Sequence, residues 1–260
     1  MNIPKIGFIG AGRIVRIFLQ ALYNAGQRPK AIVLYDPDDS VLQRLESDYS
    51  NLPFQRGTLQ QAASREWVFF AVHPPVLKSV LPEIRKPIQS ATADISLAPV
   101  LKSSFLIESL QGYDQIIRVI PNAASYMNTG TNPVWYAPTL STDVKSSVAK
   151  FLQLLGDAPE VDEEKLEGYA IITAMGSTYF WPQLQALVEL SQEFGWEAGE
   201  SNAAVESMMQ DTIEMFFHSG LDYSSMTDLI PVKPLAEHES AMCEPYKTTL
   251  SRLYKKLTGK

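Results

Sequence analysis

A glycine-rich turn near the start of the chain constrains the fold more than any other feature. The apolar run Lys5–Ile9 leads into a Gly-Ala-Gly turn at residues 10–12, and residues 14–25 then carry apolar side chains at helical spacing. A strand, a glycine turn and a helix in this order open a dinucleotide-binding βαβ unit. The sequence therefore predicts an α/β fold with a phosphate-binding turn.

The residue types in the turn suit a bound pyrophosphate. Gly10 permits a tight turn, and Gly12 lets the backbone approach the phosphates because it carries no Cβ. The helix that follows offers free N–H groups and the positive end of its dipole. Val15 departs from the Gly or Ala that usually packs this helix against the strand, and glycines that only make a turn are the alternative. We predict cofactor contacts from Gly10, Ala11, Gly12, Arg13 and Ile14.

An acidic residue ends the second predicted strand. Asp36 follows Ala31–Tyr35 at close to the spacing at which a carboxylate binds the adenosine ribose of NAD, about 20 residues beyond the glycines. Asp38 and Asp39 add negative charge, which would repel the 2′-phosphate of NADP. We therefore predict NAD(H) or NADP(H) as cofactor, with NADH favoured. A helix cap is the alternative role for these aspartates, and both roles can coexist.

Strand-like and helix-like segments alternate along the first half of the chain, which is typical of a parallel sheet covered on both faces. After residues 158–161 the pattern becomes helical, so we expect a domain boundary near residue 161. The predicted strands are Lys5–Ile9, Ala31–Tyr35 and residues 67–72, 93–98, 115–120 and 132–137, and the predicted later helices are residues 163–174, 180–194, 201–219 and 246–257.

The helix predicted at residues 201–219 carries one wide apolar stripe. Packing on the core of its own domain is one interpretation, and pairing with a second copy of the chain is the other. The stripe consists of Val205, Met208, Met209, Thr212, Ile213, Phe216 and Phe217.

Composition excludes several classes of function. Lys and Arg number 22 and Asp and Glu 29, and the net charge of −7 argues against nucleic acid or an anionic membrane surface as a partner. The single Cys243 allows no intrachain disulfide, and no ligand pairs are spaced for a metal. The longest apolar run, residues 67–72, is far shorter than the about 20 residues of a membrane span. Without a recognisable signal peptide, we expect a cytoplasmic protein.

Polar residues follow two later strands, at the sheet edge where ligands bind in open α/β folds. His73 could donate a proton or merely pack, and the amide of Asn122 could orient a nicotinamide or a substrate. Ser177 opens a helix, where its hydroxyl and N–H could bind a carboxylate or simply cap the helix. We predict further cofactor contacts from Ala71, Val72, His73, Pro74 and Asn122.

Four segments follow one another along the chain: I-G-F-I-G-A-G at 6–12, A-V-H-P at 71–74, R-V-I-P-N at 118–122 and T-A-M-G-S-T at 173–178. In this order they resemble the pyrroline-5-carboxylate reductase family, which shows G-A-G-N-M-A, A-V-K-P, R-V-M-P-N and T-A-x-x-G-S-G-P-A-Y. The resemblance extends from about residue 5 to about residue 230 and implies a two-domain fold. An N-terminal Rossmann-type doubly wound sheet at residues 1–161 would bind NAD(P)H. An all-helical dimerisation domain at residues 162–260 would form an intertwined homodimer whose interface holds the imine.

The substrate half departs from the family more than the cofactor half. Arg13 replaces an asparagine and His73 a lysine, and the family's S-P-G-G-T-T substrate loop appears as I-P-V-K-P-L at residues 230–235. Lys233 could offer that loop's carboxylate a point charge instead.

Together these observations predict an NAD(P)H-dependent reductase of a small cyclic imine or oxo acid, with a place in proline biosynthesis implied by the resemblance alone. One alternative is a β-hydroxyacid-type dehydrogenase, although the catalytic lysine helix of that group is not recognisable. The other is a catalytically silent NAD(P)-binding redox sensor or scaffold. We predict Asn122, Ser177 and His73 as catalytic residues and Ser177, Thr178 and Lys233 as substrate contacts.

Overall fold

A computed structural model describes residues 2–259, which form two compact units. One unit contains the chain up to Ala174 together with the segment that begins at Tyr254, and the other is Met175–Leu253. Within the described residues, no helix is long and apolar enough to cross a membrane.

A seven-stranded sheet forms the centre of the first unit. Its strands are β1 (Lys5–Ile9), β2 (Ala31–Tyr35), β3 (Phe54–Arg56), β4 (Trp67–Phe70), β5 (Ala93–Ser96), β6 (Ile116–Val119) and β8 (Val134–Tyr136), while β7 (Gly130–Thr131) pairs with β9 (Gly156–Asp157) in a separate small sheet. The strand order is β3-β2-β1-β4-β5-β6-β8, and the neighbours run parallel except for β6 and β8. The chain leaves β1 toward β2 and later crosses to β4 on the other side, which makes the carboxyl end of β1 the topological switch point.

The prediction of a parallel sheet is confirmed apart from its last strand. Residues 132–137 were expected to continue the parallel order, but β8 runs antiparallel to β6. The connection between these strands holds only a 3₁₀ turn at Ala123–Met127 and the short strand β7. A parallel return needs a crossover connection that usually includes a helix, so this chain returns antiparallel on the same edge.

Helices cover both faces of the sheet, as the doubly wound fold requires. On one face α1 (Arg13–Asn24), α2 (Asp39–Asp48) and α6 (Thr142–Leu152) pack on a cluster that includes Phe8, Phe18 and Phe69. On the other face lie α3 (Leu59–Ala63), α4 (Pro74–Ile84) and α5 (Ser103–Ser109). Phe8 on β1 lies opposite Phe69 on β4, and their rings stack with centroids 4.8 Å apart.

The boundary between the units lies beyond the position expected near residue 161. The short helix α7 (Leu166–Tyr169) and the π-type turn Ala170–Ala174 still belong to the first unit. Leu166 and Ala170 bury their side chains against Ile120 at the end of β6. This apolar contact ties the segment to the sheet, which explains why a change to helical pattern did not coincide with a change of unit.

The second unit is entirely helical. It contains α8 (Ser177–Glu193), α9 (Ala198–His218), α10 (Tyr223–Asp228) and α11 (Glu239–Pro245), and α12 (Ser251–Thr258) continues into the first unit. Between Met175 and Leu253, all of which the structure describes, only Ser191 and Ser201 are buried. This unit therefore has almost no core of its own.

The apolar stripe on α9 does not pack on a core within its unit. Val205 and Met209 are half-buried, and the remaining residues of the stripe are exposed, with Phe216 at 54% and Phe217 at 69%. The interpretation that this stripe covers its own domain's core is wrong. Pairing with a second copy of the chain stays a prediction.

Candidate functional site

The glycine turn joins β1 to α1 at the topological switch point. Gly10 has a φ of +94°, and a Cβ placed on it would lie 2.7 Å from the carbonyl oxygen of Ala71. Its N–H donates to the carbonyl oxygen of Tyr35 at 2.8 Å. The N–H of Ala71 donates to the carbonyl oxygen of Ile9 at 2.9 Å. Only glycine fits here, because both the backbone angle and the neighbouring residues Ala71 and Val72 exclude a side chain.

Gly12 serves the opposite purpose, because the space around it is open. It precedes α1 as the N-cap, and a Cβ placed on it would meet no heavy atom within 4 Å. No side chain caps the helix and no acidic residue occupies its first turn. In the described chain, the N–H groups of Gly12, Arg13 and Ile14 donate to no protein acceptor. This is a cradle that fits a phosphate, because unpaired N–H groups and the helix dipole both favour an anion.

Val15 occupies the position at which the dinucleotide fingerprint usually has Gly or Ala. It is completely buried, together with Phe18, Leu19 and Leu22 on the same face of α1. The larger side chain is therefore accommodated between helix and sheet, and the turn keeps its geometry.

Asp36 ties the glycine turn to the end of β2. Its Oδ2 accepts a hydrogen bond from the N–H of Ala11 at 2.8 Å, and its Oδ1 accepts one from the N–H of Asp38 at 2.9 Å. The carboxylate is partly exposed, and each oxygen has a further lone pair available for a ribose hydroxyl. Asp36 thus already has a structural role in the protein.

Asp38 is the residue that caps α2. Its carboxylate accepts hydrogen bonds from the N–H of Ser40 at 2.9 Å and from its hydroxyl at 2.6 Å. These bonds hold the pKa of Asp38 below its usual value. The helix-capping role predicted for these aspartates therefore falls to Asp38, and Asp36 is the carboxylate that contacts the glycine turn.

The predicted residues after β4 lie at the carboxyl edge beside the turn. Ala71 and Val72 are half-buried, and Val72 contacts the space that a side chain at Gly10 would take. His73 is the N-cap of α4 with an exposed side chain that makes no capping hydrogen bond, and Pro74 begins the helix. The imidazole of His73 is thus accessible to solvent.

Asn122 is buried and is hydrogen-bonded to the protein around it. Its Oδ1 accepts from the N–H of Ala124 at 2.8 Å, and its Nδ2 donates to the carbonyl oxygen of Thr173 at 3.1 Å. Its own N–H donates to Oδ1 of Asn132 at 3.0 Å. These contacts connect the segment just after β6 to Thr173, near the end of the first unit. A role of Asn122 toward cofactor or substrate stays a prediction.

A buried ionic cluster, which sequence reasoning missed, lies at the same edge of the sheet. Arg118 on β6 is 1% exposed, and its guanidinium donates to Glu163 at 3.0 Å and to Glu167 at 2.7 Å. Ser103 donates to Glu163 from its N–H at 2.6 Å and from its hydroxyl at 2.8 Å. The signal available in the sequence was the arginine itself, which interrupts an otherwise apolar buried strand.

The cluster also holds the loop that follows β5. The N–H of Val100 donates to Glu167 at 3.2 Å, and Val100 has a φ of +77°. A β-branched residue in this region of conformational space is unusual and persists where its surroundings determine it. The ionic cluster therefore fixes the ends of β5 and β6 together with the segment from Glu163 to Glu167.

The remaining predicted residues belong to the second unit. Ser177 is the first residue of α8 and is half-buried, and in the described chain its hydroxyl has no hydrogen-bond partner. Thr178 is exposed and donates its hydroxyl to the carbonyl oxygen of Met175 at 2.6 Å. Lys233 is exposed and lines a polar groove with Ser224, Ser225, Thr227 and Asp228. Their roles toward a substrate stay predictions. Across residues 2–259, no group of three His, Cys, Asp or Glu side chains is placed to hold a metal ion.

In sequence, the chain is similar to nicotinamide-dependent oxidoreductases. Residues 5–99 match the family described as NADP oxidoreductase, coenzyme F420-dependent. Pyrroline-5-carboxylate reductase of Escherichia coli is 21% identical over 227 residues, which cover 87% of this chain and 84% of the relative.

Solved structures agree with this fold along the whole chain. The crystal structure of Plasmodium falciparum pyrroline carboxylate reductase with NADP bound has a TM-score of 0.74 at 19% identity, covering 100% of this chain and 95% of that one. The 1-pyrroline-5-carboxylate reductase of Streptococcus pyogenes has a TM-score of 0.76 at 15% identity, with 100% of both chains covered. At such identities the structural likeness establishes the fold, a Rossmann-type sheet followed by a helical region.

Proposed function

From the similarity of this diverged chain to pyrroline-5-carboxylate reductases along most of its length, we propose that it is a nicotinamide-dependent reductase of a small cyclic imine or oxo acid. The observation that carries the proposal is the glycine turn at the switch point, whose open Gly12 and unpaired helix N–H groups fit a pyrophosphate. The NADP in the Plasmodium falciparum relative supports the same class of cofactor.

The residues of the first unit would hold the cofactor in a defined order along the sheet edge. The turn at residues 10–14 would bind the pyrophosphate, and Asp36 would accept hydrogen bonds from the adenosine ribose. Residues 71–74 and Asn122 would line the nicotinamide end. When bound, the reduced cofactor supplies the hydride, and the protein's task is to position the substrate carbon and to supply a proton.

NADH is the cofactor that the charges favour. Asp36, Asp38 and Asp39 follow β2, and their carboxylates would repel the 2′-phosphate of NADPH. Arg13, exposed at the turn, is the cation that would work against this preference.

His73 and Ser177 are the side chains proposed for substrate chemistry. The imidazole of His73 is exposed and could donate a proton to a nitrogen or an oxygen. Ser177 presents a hydroxyl and an N–H at the start of a helix of 17 residues, which suits a carboxylate. Thr178 and Lys233 are proposed as further substrate contacts, with Lys233 as the point charge.

The loop at residues 230–235 argues that pyrroline-5-carboxylate itself is a poor substrate. Pro231 and Pro234 have no N–H to donate, and Val232 resists the positive φ that glycine allows. A backbone that cannot reach a carboxylate favours substrates whose acid group lies farther from the reacting carbon. The same loop is the observation that keeps a non-catalytic NAD(P)-binding sensor or scaffold as the second candidate.

A second copy of the chain is proposed to cover the helical unit. Large apolar side chains on α8 and α9 are exposed, and contiguous exposed apolar surface of this kind marks an interaction site. The homodimers implied by the family resemblance favour an isologous pair. Light scattering that gives the mass of a single chain at micromolar concentration would contradict this assembly.

Titration and turnover together test the proposed function. Isothermal titration with NADH should show binding, and a panel of five- and six-membered cyclic imino acids and linear oxo acids should include at least one compound that accelerates NADH oxidation. Binding without turnover across the panel would favour the sensor or scaffold. Absence of binding to both NADH and NADPH would refute both candidates.

A further inference from the structure

An arginine ends the edge strand beside the proposed cofactor strand. Arg56 is the last residue of β3, and it lies opposite Leu34 in the parallel register with β2. The N–H of Gly57 donates to the carbonyl oxygen of Leu34 at 3.0 Å, which fixes the carboxyl end of β3. Asp36 follows two residues after Leu34, so Arg56 stands at the end of the sheet where the ribose would bind.

Two carboxylates of α2 engage this guanidinium. Nε and Nη2 of Arg56 donate to the two oxygens of Glu46 at 2.8 and 2.6 Å, and Nη1 lies 3.7 Å from Asp39. The pair lowers the pKa of Glu46 and raises that of Arg56. Both side chains are 40% exposed, so the pair is accessible from solvent.

The geometry of this pair is the one that arginine uses with phosphate. A guanidinium presents two parallel N–H groups, and it binds a carboxylate or a phosphate with the same fork. The fork of Arg56 is occupied by Glu46, and a 2′-phosphate could engage it only by displacing that carboxylate.

We propose that Glu46 is a specificity-determining residue that withholds Arg56 from the 2′-phosphate of NADPH. This inference rests on the proposed function, since it assumes that the adenosine ribose lies at Asp36. Discrimination against NADPH then has two parts. The acidic residues after β2 repel the phosphate, and Glu46 removes from it an arginine that lies within the same cluster.

The chain offers a matched control on the same helix. Asp48 pairs with Arg44 at 3.9 Å, four residues apart on α2, whereas the ion pairs of Arg56 among the described residues go to Asp39 and Glu46. Asp48→Asn removes the same unit of negative charge from α2 as Glu46→Gln. A difference between these variants therefore reports on Arg56 and not on net charge.

Adenosine 2′,5′-bisphosphate and 5′-AMP isolate the phosphate from the rest of the cofactor. Titration calorimetry should show that Glu46→Gln binds the bisphosphate about 1.5-fold to fivefold more tightly than the wild type, the range of one exposed ion pair. The affinity for 5′-AMP should stay unchanged, and Asp48→Asn should match the wild type for both ligands. Glu46→Gln combined with Arg56→Gln should lose the gain.

Three results would overturn the inference. These are an unchanged affinity of Glu46→Gln for the bisphosphate, an equal gain in Asp48→Asn, or a gain that survives Arg56→Gln. If the wild type binds NADH and one of these results is found, only the role of Glu46 fails. If no variant binds either dinucleotide or either probe, the proposed function fails with it. Circular dichroism of each variant should match the wild type, because all the substituted side chains lie on the surface.

Discussion

Replacing Arg118 by methionine should destabilise the first unit by about 3–5 kcal/mol, the range for breaking a buried ion pair by removing one partner. Methionine keeps an unbranched apolar chain in the space, but it leaves two carboxylates without their cation. Glu167 is 3% exposed and Glu163 15%, so water cannot replace the guanidinium at the first and does so only partly at the second.

The two carboxylates differ in what they retain. Glu163 keeps two hydrogen bonds from Ser103, at 2.6 and 2.8 Å, whereas Glu167 keeps only the N–H of Val100 at 3.2 Å. Most of the loss should therefore come from Glu167. Adding Glu167→Gln to Arg118→Met should recover more stability than adding Glu163→Gln, because it neutralises the more deeply buried and less solvated charge.

Urea denaturation measures these differences directly. Trp67 and Trp135 belong to the first unit, and Trp181 and Trp196 to the second, so fluorescence should be compared with circular dichroism to identify the transition. A loss below about 1 kcal/mol for Arg118→Met, typical of an exposed pair, would refute the account of a desolvated cluster. Equal stability of Arg118→Met/Glu167→Gln and Arg118→Met/Glu163→Gln would also refute it.

Four further predictions concern other parts of the chain. Burial without a hydrogen-bond partner raises the pKa of the Asp94 carboxyl, so the stability that this group gives at low pH is lost as the pH rises through its folded pKa. In urea denaturation, Asp94→Asn should therefore stabilise the protein more at pH 8 than at pH 5. An equal gain in stability at both pH values would contradict this. Gly10→Ala should lower the thermal midpoint, because its Cβ would meet the backbone of Ala71 just after β4, whereas Gly12→Ala should leave the midpoint unchanged and weaken dinucleotide binding; the opposite pattern in calorimetry and thermal melts would exclude a pyrophosphate at Gly12. The wild type should bind NADH more tightly than NADPH, with Asp36→Ala narrowing the gap in titration calorimetry, and tighter NADPH binding by the wild type would refute the preference. Two glycines introduced into the loop 230–235 should raise kcat/KM for pyrroline-5-carboxylate, and a wild-type value above about 10⁴ M⁻¹s⁻¹, the low end for ordinary enzymes, would show that the altered loop is harmless.

Features set by a few neighbouring residues were predictable from the sequence. The strand, turn and helix around Gly10 and Gly12 lie within one short segment, and their alternation of apolar and glycine residues has few other interpretations. The strand Ala31–Tyr35 and the helical half of the chain were likewise recognisable from local periodicity. The sequence did not predict which role Asp36 and Asp38 each have. Both follow the same strand, and only their hydrogen bonds distinguish them.

Features set by distant pairing were not predictable. The strand Phe54–Arg56 has only three residues, none fully buried, and it exists because it pairs with β2. The carboxylates that pair with Arg118 lie 45 and 49 residues away along the sequence, so no local pattern predicts the ionic cluster. The hydrogen bond from Asn122 to Thr173 spans 51 residues, and no local pattern indicates it either.

Isotope transfer tests the central claim most directly. The protein should be incubated with NADH deuterated at the transferred position of the nicotinamide and with each compound of the imine and oxo acid panel, and the products analysed by mass spectrometry. The account predicts that at least one product, a cyclic amino acid or a hydroxy acid, gains one deuterium at the former C=N or C=O carbon. A protein that binds NADH but transfers deuterium to none of these compounds would contradict the account.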